Sequence, residues 1–128
     1  MNKLFILLIF TLFSCENKET DIDKIVVHSV NLNIDTSADV SCKDFELTFN
    51  GVIKVYSIKD KSIFNKIDKL LKGIKNSNKN TSIDIRRKII VFHKDKTIDT
   101  LCVDRFNIVM NGQLIDKNDD LLSLSLDL

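Results

Sequence analysis

Along residues 24–34 (KIVVHSVNLNI), apolar and polar positions alternate with period two, placing Val26, His28, Val30, Leu32 and Ile34 on one side of a half-buried strand. The next ten residues, DTSADVSCKD, are turn-like. Two further period-two runs, FELTF and VIKVYSI, flank Asn50-Gly51. That dipeptide suits both left-handed positions of a type I′ turn, so a β-hairpin is expected. Asp60 or Ser62 then provides a helix cap, and Ile63, Phe64, Ile67, Leu70, Leu71 and Ile74 recur at helical spacing. Lys, Asp and Asn fill the opposite face, so this helix has one apolar stripe and packs on one face of a sheet. Gly73 and the polar run KNSNKNTS end it in a loop.

Residues 83–92 (IDIRRKIIVF) read as a strand with a charged middle. His93-Lys94-Asp95-Lys96 turns the chain, TIDTLCV returns antiparallel, and FNIVM-NG-QLI repeats the Asn-Gly hairpin device at Asn111-Gly112. In the tail DKNDDLLSLSLDL, Asn118 followed by Asp119 and Asp120 resembles a helix start, because acids favour the positive end of a helix dipole. Leu122, Leu124, Leu126 and Leu128 also fit a strand; a short helix is the preferred reading. The expected class is α+β: an antiparallel sheet of hairpins with one long amphipathic helix on a face and a short C-terminal helix. Hairpin-length connections leave no room for parallel crossovers.

The N-terminus departs from these patterns. Lys3 precedes an apolar run from Leu4 to Phe13, interrupted by Thr11, and Asn17, Lys18 and Glu19 end it. About ten apolar residues match a secretion signal and are too few for a membrane span, which needs roughly 20. Leu12-Phe13-Ser14-Cys15 resembles the lipobox of bacterial lipoproteins. The resemblance implies cleavage after Ser14, a diacylglyceryl thioether on Cys15 and acylation of the new N-terminus. Several acyl chains retain a protein on a membrane far more firmly than one, at ~0.8 kcal/mol per buried CH₂. The organisation expected is a signal peptide over 1–14, a lipidated tether over 15–23 and one domain over 24–128. The expected address is the bacterial cell envelope, anchored to a membrane, with the outer membrane as the leading site and a periplasmic or surface-facing domain.

Composition narrows the partners. Lysine outnumbers arginine 16 to 3, and Ile and Asn abound, as an AT-rich bacterial genome would produce. With the Cys-Glu-Asn-Lys start, the chain resembles the small lipoproteins of Bacteroidota. Removal of the signal takes Lys3 and no acid, leaving basic and acidic side chains equal in number. Zero net charge supplies no long-range field for nucleic acid, which is not an expected partner. Proline is absent, glycine occurs three times and no internal repeat is visible.

With Cys15 lipidated, Cys42 and Cys102 remain, an even pair in an oxidising compartment. They either bond, closing a loop of about 60 residues worth up to ~4 kcal/mol, or stay as buried thiols. No CxxC pair is present for redox exchange, and GxSxG, GxGxxG, P-loop and HExxH motifs are missing. His28 reads as a core or boundary histidine and His93 as an exposed turn residue. His28, Cys42, His93 and Cys102 are zinc-ligand types without the close spacing that makes such motifs specific. Asp116-x-Asn118-x-Asp120 mimics the start of a calcium loop, but Leu121 stands where the sharp turn requires glycine, so helix capping is the better reading. No catalytic residue, metal site or cofactor is therefore expected.

Arg86-Arg87-Lys88 is the densest basic cluster. On a strand, Arg86 and Lys88 share one side, making a solvated face or a candidate contact for an acidic protein partner. The function expected is a non-enzymatic, membrane-anchored envelope lipoprotein that binds another protein, of the immunity, inhibitor or accessory-subunit kind. The alternative is a lipoprotein that holds a small molecule in a pocket between sheet and helix. Tyr56 is the only tyrosine and tryptophan is absent, which disfavours a glycan ligand.

Overall fold

A computed structural model describes residues 19–128. Six strands form one antiparallel sheet: β1 (Ile22–Ser29), β2 (Lys54–Ile58), β3 (Arg87–His93), β4 (Ile98–Val103), β5 (Ile108–Met110) and β6 (Gln113–Leu114). Their spatial order is β2-β1-β3-β4-β5-β6. Three helices complete the α+β fold: α1 (Phe45–Thr48), α2 (Lys61–Leu71) and α3 (Asp119–Asp127). The segment 1–14, Cys15 and residues 16–18 lie outside the described residues.

The second half of the chain follows its sequence pattern in outline, although β3 begins at Arg87 and not Ile83 and takes in His93, expected in the turn. Asp60 caps α2 by accepting from the Ser62 N–H at 2.8 Å, and Asn118 caps α3 by accepting from the Leu121 N–H at 3.0 Å. Phe64 and Ile67 of α2 are buried, with Ile63, Leu70 and Leu71 packed beside them. Asn111 and Gly112 have φ of 50° and 81°, so both occupy the left-handed region that a type I′ hairpin demands.

The first half differs. FELT is a helix, not a strand, so no hairpin forms at Asn50-Gly51. Phe45 and Phe49 stand four residues apart, a spacing that puts them on one side in either conformation. As a helical pair they meet edge-on with ring centroids 5.3 Å apart. The turn that follows has the Val52 N–H bonded to the Phe49 carbonyl and only Gly51 at positive φ (85°). That is the glycine requirement of a type II turn. β2 instead pairs with β1, so residues 30–53 form a long excursion between them.

β1 has the opposite phase from the one its alternation suggests. Ile25 and Val27 face the helices and are fully buried, while Val26 and His28 are half-buried on the other side. The strand ends at Ser29 and starts at Ile22, within the stretch expected to be tether, where a register irregularity between Ile22 and Lys24 keeps buried Ile22 in the core. Both β2 and β3 run antiparallel to β1, so they are parallel to each other with β1 between them. Helix α2 makes this crossover and lies on β1, forming a split β-α-β unit where only hairpins were expected.

Two cores result. The inner face of the sheet, under α2 and α3, buries Ile25, Val27, Ile89, Val91, Leu101, Val103 and Leu121. A smaller core on the outer face gathers Val30, Val40, Phe45, Phe49, Ile85 and Cys102 beneath the 30–53 excursion. The polar run after α2 is tied to β6: the Ser77 N–H donates to the Leu114 carbonyl at 2.8 Å, covering that sheet edge. The β2 edge has no equivalent strand among the described residues.

Candidate functional site

The basic cluster of β3 is internal. Arg86 is 5% exposed, and its guanidinium lies 5.2 Å from the centroid of the Phe49 ring. It donates to the Ile34 carbonyl at 3.2 Å, the Ile85 carbonyl at 3.0 Å, the Thr36 hydroxyl at 3.0 Å and the Asp84 carboxylate at 2.5 Å. Lys88 donates to both Glu46 oxygens, at 2.8 and 2.9 Å, which pins α1 to the sheet. The two residues do share a side, as the strand reading requires. That side is covered by the 30–53 excursion, so in place of the exposed partner-binding patch expected there Arg86 is buried and Lys88 half-buried, both internally paired.

The carboxylates opposite them respond. Burial pushes Asp84 up, but the Arg86 guanidinium and the Val40 N–H outweigh it and hold its pKa below the usual value. Burial likewise opposes the Glu46 charge, and the Lys88 ammonium again leaves its pKa lowered.

Cys42 and Cys102 are joined in a disulfide with Cα atoms 5.7 Å apart, fastening the 30–53 excursion to β4. Neither thiol is available as a metal ligand or nucleophile. His28 lies 3.6 Å from Glu46, and its buried Nδ1 has no hydrogen-bond partner. His93, expected to be exposed in a turn, is a β3 residue whose Nε2 meets Asp99 at 2.7 Å. No group of three His, Cys, Asp or Glu residues suited to a metal occurs among the described residues. No helix among them is long and apolar enough to cross a membrane.

The sequence reading missed the remaining half of the outer face. Register places Val26 beside Ser57 and Ile90, Lys24 beside Phe92, Phe92 beside Ile98, and His28 beside Val55. Since neighbours in register point to the same side, these residues form one surface, bordered at His28 by Glu46 of α1. Val26, Val55, Ile90, Phe92 and Ile98 belong to neither core, and Val55 and Ile98 are 60% and 52% exposed. Lys24 stands over the Phe92 ring, its Nζ 5.9 Å from the centroid. Val55 carries this surface onto the open β2 edge, where Tyr56 bonds through its hydroxyl to the Leu128 backbone oxygen. A signal for it exists: IIVF (89–92) is apolar at every position, the mark of a strand with two apolar faces.

A sheet surface of this kind offers shape and apolar area together with unpaired backbone groups along one edge. Comparison with known proteins gives no matching family model, no matching curated protein and no matching solved structure.

Proposed function

We propose that this chain is a non-enzymatic lipoprotein, held on a bacterial envelope membrane through Cys15, that docks another protein on the outer face of its sheet. One observation carries the reading: Val26, Val55, Ile90, Phe92 and Ile98 share a face and lie outside both cores. Exposed apolar area next to an open strand edge is the arrangement that protein partners complete, by side-chain packing and by strand addition. The lipobox-like Leu12-Phe13-Ser14-Cys15 supports the anchor. Only seven residue steps separate Cys15 from Ile22, a reach of at most ~25 Å for extended chain. The partner is therefore engaged close to the membrane surface, as suits an immunity protein, an inhibitor or an accessory subunit.

The test is co-purification of the lipidated protein from its native membranes in mild detergent, with wild type compared against Val55→Asp and Ile98→Asp. Both sites are more than half exposed, so each variant melts within a few degrees of wild type. The expected result is loss of a partner that wild type retains. Identical partners for all three proteins contradict the docking face. An intact mass showing residues 1–14 attached and Cys15 unmodified contradicts the anchor.

A further inference from the structure

On the opposite, inner face, Ser29 is flanked in register by Lys54 on β2 and Arg87 on β3. The three residues line one side of a cavity of about 430 Å³ at the sheet end where β1 gives way to the 30–53 excursion. Leu32, Ile34 and Val52 supply its apolar wall. No acidic residue lines it.

Arg87 is 9% exposed, and among the described residues no carboxylate lies within 4.0 Å of its guanidinium. Its donors can be followed individually. Nη1 bonds the Ser125 carbonyl at 2.9 Å and the Leu126 carbonyl at 2.6 Å. Nε and Nη2 each bond the Ser29 hydroxyl, at 3.3 and 3.1 Å. A guanidinium has five N–H groups, so one on Nη2 has no protein acceptor. The two carbonyls are the C-terminal end of α3, whose partial negative charge offsets about half a unit. No acidic side chain lines the cavity to take up the rest, whereas buried arginines ordinarily sit against an anion. Lys54 adds a second cation two strands across. Two cations and no acidic side chain line the cavity, a charge balance that an anionic ligand would complete.

We infer that this cavity binds a small organic carboxylate with a short aliphatic body. The carboxylate accepts from the free Nη2 N–H of Arg87 and from the Lys54 ammonium, and the aliphatic body lies on Leu32, Ile34 and Val52. Charge-assisted bonds at a largely buried donor set the orientation, and the apolar wall selects against bare inorganic anions. The inference is independent of the docking reading, which uses the other face of the sheet.

The experiment uses the full chain, purified from a bacterial host in nanodiscs of zwitterionic lipid. It is titrated with sodium hexanoate at constant ionic strength while methyl and Arg Nε resonances are followed by NMR. Saturable shifts at Val52, Ile34 and Arg87 are expected, with acetate and hexanol each binding at least tenfold more weakly. Lys54 is exposed on an edge strand, so Lys54→Glu keeps the fold and weakens hexanoate at least tenfold, whereas Lys61→Glu on α2 leaves binding unchanged. Absence of saturable shifts, or equal binding by Lys54→Glu, overturns the site. Phosphate giving the same shifts at lower concentration overturns the assigned ligand class.

Discussion

Replacing Cys42 with Ser and Cys102 with Ala together is expected to lower stability by roughly 2–4 kcal/mol. For a domain of this size that corresponds to a fall in Tm of about 10–25 °C. The bond spans 60 residues of sequence and ties an irregular excursion to the central strand β4. Without it, residues 30–53 are held by the outer core, by the Val40 pairing with Asp84 and Ile85, and by the Arg86 and Lys88 side-chain bonds. The chain-entropy gain of closing so long a loop is near the upper end of what one disulfide supplies. Because Cys102 is fully buried in the outer core, the loss falls first on Phe45, Phe49 and Val40. The inner core under α2 holds longer. Thermal melts with and without reductant check this, and wild type in reductant should approach the double variant. A melting temperature unchanged by reductant contradicts the assignment.

The second large effect lies at Arg86. Arg86→Met is expected to cost about 3 kcal/mol, since it strands the Ile34 and Ile85 carbonyls and removes the cation from the Phe49 ring. Lys88→Met is expected to cost about 1 kcal/mol or less, because Glu46 is 43% exposed and can turn to water. A strand whose basic residues were solvated would show neither loss, so the contrast separates buried structural charge from a surface patch. The two proteins also differ in acid. Asp84 has its pKa lowered in the fold, so its contribution is full above the unfolded value of about 3.9 and is lost as pH falls through the lower folded value. In Arg86→Met that part of the acid dependence is largely gone, and urea melts from pH 7 to pH 2.5 measure the difference.

These residues also show what the sequence made legible. Helix α2, the hairpin at Asn111-Gly112 and helix α3 were readable because local signals agreed: caps, left-handed turn residues and apolar periodicity all pointed the same way. Helix α1 was not, because Phe45 and Phe49 fit periods of two and of 3.6 equally well. Leu47 alone tells them apart, and it projects into solvent at 81% exposure. The phase of β1 was hidden for a related reason. This central strand carries apolar residues on both faces, so alternation gives no unique inward side. Arg86 read as a surface residue because charge is ordinarily solvated; only the long-range return of residues 34–36 reveals its acceptors. The same long-range placement uncovered Val55 and Ile98, which come from strands far apart in sequence.

Whether that outer face is a docking surface is tested most directly by photo-crosslinking in the native envelope. A photoreactive amino acid is placed in turn at Val55, at Ile98 and, on the opposite side, at Asp120 of α3. The account predicts one discrete protein adduct from both outer-face positions and none from Asp120. The same adducts from all three positions, or none from Val55 and Ile98, would contradict it.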